Sequence, residues 1–175
     1  MNSLALNEVV ERDYNGLEPA NYAIINSEQR DFLEKLGSFE APYLEEKLMK
    51  KGVFNSHEEY QTSFTEFKKY VGLVGITNKP LKMSSEVVDS VWHQFILFTP
   101  QYREFCDEML GSYMDHIPTT SFTPSVEGSG EMFSQSYQEI FGDIPKIWDS
   151  KKGVFNNEAS EECGAGGGCM SGCNQ

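Results

Sequence analysis

Between Met83 and Pro118 the chain reads MSSEVVDSVWHQFILFTPQYREFCDEMLGSYMDHIP, two runs of helical spacing broken by one Thr-Pro step. Proline has no amide hydrogen for a helix interior, so Pro100 opens a helix and cannot continue one. The connection at Phe98–Thr99–Pro100 is therefore short, and two helices so joined pack as neighbours in a hairpin. Ser84 and Ser85 can cap the first helix, where a serine oxygen accepts from a first-turn N–H. Val88, Val91, Trp92, Phe95 and Ile96 then share one face. Thr99 reads as the cap of the second helix, with Tyr102, Phe105, Cys106 and Met109 or Leu110 inward and Gly111 as its stop. His116 follows just beyond.

The same spacing assembles candidate ligands. Asp89 and His93 stand four apart and so on one face. The hairpin is expected to bring them near Cys106, and the following turn to return His116. A carboxylate, two imidazoles and a thiolate suit zinc or another borderline transition metal. Beside this stands a plainer reading, in which Trp92, Phe95 and Tyr102 are core, Asp89 only bonds to His93, and Cys106 is a small buried hydrophobe.

Asp89-x-x-Trp92-His93, followed by Leu97, Tyr102, Cys106, Gly111 and His116, resembles the signature of the glycine-rich-domain-containing protein-like family. The resemblance covers about residues 56 to 118. The family's pattern is D-x-x-W-H-x-H-x-L, then Y, D-C, G and H. This chain departs from it at Phe95, where plant members commonly carry a second histidine, and at Phe105, where they carry aspartate. Both departures remove polar ligands. The resemblance implies a domain more than an activity.

The chain has 175 residues, of which 39% are hydrophobic and 13% aromatic, enough for a core in one domain, expected over residues 1 to 150. A net charge of −13 argues against nucleic acid and anionic membrane surfaces, and suits a cation or a basic partner. The opening MNSLALNEVVERDYNG lacks a basic start and an unbroken apolar run, so it does not read as a secretory signal. No stretch approaches the length of a membrane-spanning helix. A cytoplasmic protein with reduced thiols is expected, which makes disulfides an unsuitable reading of its cysteines.

Elsewhere the periodicity predicts an all-α fold. Leu4, Leu6, Val9 and Val10 allow a short helix or a packed arm. Ser27 to Leu36 is a helix capped by Ser27 and ended by Gly37, and Pro42 to Lys51 is another, with Tyr43, Leu44 and Leu48 inward. Ser56-His57-Glu58-Glu59 has the form of a capping box. The helix it opens carries Tyr60, Phe64, Phe67, Tyr70 and Val71, and Gly72 to Pro80 is expected as a loop. Thr119 to Gly130 reads as a loop, Glu131 to Phe141 as a helix, and Ile144, Ile147 and Trp148 as a segment docked on the core. The hexamer KKGVFN occurs at Lys50–Asn55 and again at Lys151–Asn156. The first copy reads as a helix end, a glycine turn and a packed Val-Phe pair.

The chain closes on SEECGAGGGCMSGCNQ, with Cys163, Cys169 and Cys173 among glycines. Residues 151 to 175 are read as a flexible arm. Its thiols suit copper(I) or zinc, with Met170, Cys106 or His116 completing a site; post-translational modification; or a transient disulfide. An unordered end without a role is the plainer alternative.

Three functions follow. The first is a small soluble metal-binding or interaction domain using Asp89, His93, Cys106 and His116, with Asp89 either a ligand or the group that orients His93. The second is a precursor whose helical domain is recognised by a processing enzyme and whose tail is the modified peptide. The third is a thiol enzyme with Cys106 as nucleophile and His93 as base. Against the third, Cys106 falls on the apolar face, and no phosphate loop, dinucleotide fingerprint or HExxH is present.

Overall fold

A computed structural model of the chain describes residues 12 to 149. Among these residues there are six α-helices, a 3-10 turn and no strand. The helices are α1 Ser27–Gly37, α2 Pro42–Lys50, α3 His57–Thr77, α4 Glu86–Leu97, α5 Thr99–Leu110 and α6 Ser129–Phe141, and the turn is Lys146–Trp148. The all-α expectation holds for them. The Leu4–Val10 segment, the second KKGVFN copy and the Gly/Cys-rich tail lie outside the described residues.

Local capping chemistry sets most of the helix ends, some of them one or two residues from the positions expected. Asn26, one residue before the expected Ser27, caps α1: its side chain accepts from the Gln29 amide, and the Gln29 side chain accepts from the Asn26 amide, both at 2.9 Å. Ser56 caps α3 by accepting from the Glu59 amide at 3.2 Å. Glu59 reaches past it to the Asn55 amide at 2.7 Å, so the reciprocal half of the box is displaced by one residue. Thr99 is already helical, and Phe98 both ends α4 and begins α5. Gly111 stops α5 at φ 68°, a left-handed conformation that costs glycine little. Helix α6 starts at Ser129, two residues ahead of expectation.

The loop expected from Gly72 is instead the last part of α3, which runs to Thr77. A Cβ on Gly72 would stand 3.0 Å from Leu33 Cδ2, and one on Gly75 would stand 2.8 Å from the Phe32 ring. These glycines are there for close approach of α1, and packing overrides their weak helix propensity. The helix ends at Asn78, which takes the left-handed conformation at φ 50°.

Helix α3 is central. Phe67 is fully buried, its ring centroid 6.2–6.3 Å from those of Trp92, Phe95 and Phe105. Burying a ring of this size contributes about 1.5–3 kcal/mol. Two charges are buried on the same helix. Lys68 donates to the Gly37 carbonyl at 2.6 Å and the Phe39 carbonyl at 3.4 Å, so a cation closes the C-terminus of α1. Glu66 accepts from Lys69 at 2.9 Å, the Tyr137 hydroxyl at 2.8 Å and the Trp148 indole at 2.6 Å. That carboxylate ties α3 to α6 and to the 3-10 turn.

The docking of Ile147 and Trp148 is as expected, both buried. In the first KKGVFN copy only Phe54 packs inward; Val53 stays 38% exposed, because consecutive residues beyond the Gly52 turn point to opposite sides.

Candidate metal centre

Helix α4 presents two stripes. Val88, Val91, Trp92 and Phe95 face the core. Each residue turns the helix by about 100°, so Asp89 and His93 lie beside this stripe, at the surface. The Asp89 side chain is 25% exposed and that of His93 56%. Asp89 Oδ2 lies 3.3 Å from His93 Nδ1, and Asp89 Oδ1 accepts from His116 Nε2 at 2.7 Å. The two imidazoles stand 4.4 Å apart, centroid to centroid. One ligand atom from each of Asp89, His93 and His116 can be chosen so that all three lie within 4.8 Å of one another.

His116 arrives from the segment after α5, and a buried relay brings it there. The Trp92 indole donates to the Tyr102 hydroxyl at 2.8 Å, and that hydroxyl donates to the Met114 carbonyl at 2.6 Å. Two residues on, the His116 ring meets the Trp92 ring edge-on at 4.3 Å. Trp92 and Tyr102, read in the sequence as core, are core and also fix the position of a candidate ligand.

Cys106 is not brought to this cluster. It lies on the inner stripe of α5 with Tyr102, has no solvent exposure and is a free thiol. Burial pushes its thiol up, against smaller lowering contacts from the Met114 backbone and Tyr102. The hairpin expectation erred here because a residue on the apolar stripe cannot also reach the edge of α4. The same burial removes the thiolate that a Cys106 nucleophile needs. His57, which is not part of this cluster, is exposed and pairs with Glu45.

A cleft of about 530 Å³ opens over the three residues. One wall is Leu81–Met83, held where the Tyr70 hydroxyl donates to the Leu81 carbonyl at 2.8 Å. The other comprises Ile117–Thr119 and Thr123–Val126. The Tyr70 phenol, buried and near the Asp89 charge, is pushed well above its ordinary value, so it stays a donor. Residues of the loop expected at Thr119–Gly130 are thus part of the site, a role that no spacing rule would have found. Cys163, Cys169 and Cys173 lie outside the described residues.

Among the described residues no helix is long and apolar enough to cross a membrane. The sequence model of one protein family, described as UCP032817-like, matches residues 28–138, a span that includes Asp89, His93, Cys106 and His116. No curated protein and no solved structure matches the chain.

Proposed function

The chain belongs to this UCP032817-like family, and from that premise we propose that it is a transition-metal-binding protein, with zinc held by Asp89, His93 and His116. The observation that carries the reading is the convergence of one carboxylate and two imidazoles within 4.8 Å, from two segments far apart in sequence. This donor set suits zinc, at ligand distances of about 2.0–2.2 Å. The acidic chain attracts a cation, and the cleft gives it an entry path. Cys106 is left out of the set.

The resemblance to the glycine-rich-domain-containing protein-like pattern supports the same residues. Its two departures, Phe95 and Phe105, touch in the core with ring centroids 5.1 Å apart. An apolar pair stands where the pattern puts a histidine and an aspartate, so the metal reading rests on the three surface-edge ligands alone.

Native mass spectrometry and calorimetric zinc titration of the full chain test this. One zinc per chain is expected, weakened by tenfold or more in His93→Ala and His116→Ala and unchanged in Cys106→Ser. No zinc, or equal affinity in His93→Ala, would sink the reading.

A further inference from the structure

We infer that the cleft over Asp89, His93 and His116 is a binding site for a small carboxylate with an apolar body, whose carboxylate oxygen takes the free position on the metal; this rests on the metal reading above.

Structural zinc sites are closed by four protein ligands, while sites that receive a ligand keep one position open. Among the described residues no fourth side chain joins Asp89, His93 and His116. All three line the cleft, together with the buried Trp92 and Tyr70, whose rings stand 5.4 Å apart, centroid to centroid. A ligand therefore approaches from the mouth of the cleft and not from the core. The volume of about 530 Å³ is in the range that encloses a small organic molecule.

Charge narrows what enters. The charged side chains lining the cleft are Lys82, Asp89 and Asp115, and histidines bind metal in the neutral form. With zinc in place, positive charge exceeds negative by one. A monoanion balances that excess; a phosphate dianion overshoots it and meets the Asp115 carboxylate. Lys82 is held at the wall by its amide, which donates to the Ser129 carbonyl at 3.2 Å, and no carboxylate among the described residues pairs with its ammonium. Carboxylate oxygen is an ordinary zinc ligand.

The walls select the rest of the molecule. Leu81, Met83, Ile117, Pro118 and Val126 line the cleft. Ile117 is 69% exposed and Val126 55%, so apolar surface stands uncovered at its mouth. An alkyl or aryl body attached to the carboxylate would cover it.

Hexanoate titrated calorimetrically into the zinc-loaded full chain is the test, with acetate, hexanamide and inorganic phosphate as comparators. Native mass spectrometry first establishes zinc content, and the cobalt(II)-loaded chain is titrated in parallel and read by visible absorption. Expected are one hexanoate per chain and a change in the cobalt bands as its oxygen joins the metal. Acetate should bind about 100-fold more weakly for want of four methylenes. Hexanamide, and hexanoate with the metal-free chain, should each be weaker by about tenfold or more. Lys82→Gln, at an exposed side chain, should weaken hexanoate about threefold. Ile117→Ser should weaken hexanoate and leave acetate unchanged. Zinc bound without hexanoate, hexanoate bound equally well without zinc, or cobalt bands that hexanoate leaves unchanged would each overturn the inference and leave the metal reading standing. Phosphate bound more tightly than hexanoate overturns it too. A chain that holds no zinc overturns both readings.

Discussion

The Tyr102 hydroxyl donates to the Met114 carbonyl at 2.6 Å while accepting from the Trp92 indole, and so links α4, α5 and the segment that delivers His116. Tyr102→Phe leaves both partners buried and unpaired. Each such loss costs about 1–3 kcal/mol. Urea unfolding should register a loss in that range, and zinc affinity should fall with it, although Tyr102 is not a ligand. An affinity equal to that of the unaltered chain would mean that His116 is held by other contacts.

Glu66→Gln should be among the most damaging single-atom changes. The carboxylate serves three donors from α3, α6 and the 3-10 turn. A glutamine keeps the shape but turns an N–H₂ toward groups that themselves donate. Hydrogen bonds to a charged group are worth about 1.5–3 kcal/mol, and a stability loss of that order is expected. A red shift of Trp148 fluorescence, isolated in a Trp92→Phe background, should accompany it. Unchanged stability and emission would show that the hub is dispensable.

Gly37→Ala tests a steric claim. The new Cβ would lie 2.1 Å from the Tyr14 carbonyl oxygen, a backbone atom that cannot turn aside. The clash outweighs the gain in helix propensity at the last residue of α1. A loss of about 1–3 kcal/mol is expected, a drop in Tm of roughly 2–4 °C per kcal/mol. A Tm at or above that of the unaltered chain would contradict the packing of Tyr14 on α1.

Above pH 10 the protein should lose stability steeply. Burial raises the phenols of Tyr60, Tyr70, Tyr102 and Tyr137 well above their ordinary value of 10.0. Once the unfolded tyrosines ionise, the native state binds more protons than the unfolded one, so stability falls as pH rises. Each buried phenol contributes a slope of up to about 1.4 kcal/mol per pH unit. Lys68 acts in the opposite sense: its pKa is lowered by burial, so the native state loses that proton first and gains relative stability up to the ordinary value of 10.5. Four phenols outweigh one amine. Tyrosine absorbance and circular dichroism followed together should show these phenols ionising only as the helices melt; ionisation in the folded protein would refute the burial.

The sequence by itself determined the helices and the pairing of Asp89 with His93. Period, proline and glycine act within a few residues, and Pro100, Gly111 and the stripe of Val88, Val91, Trp92 and Phe95 are all local facts. Its errors came where distant packing overrides local preference, as when Phe32 and Leu33 press on Gly75 and Gly72 and carry α3 on to Thr77. Only the tertiary structure decided which candidates meet. Cys106 and His116 were equal prospects in the sequence. Rotation about α5 sent Cys106 into the core with Tyr102, and the Tyr102–Met114 bond turned the chain so that His116 came back to Asp89. Spacing along one helix fixes a face, but which remote segment meets that face depends on contacts that no local pattern encodes.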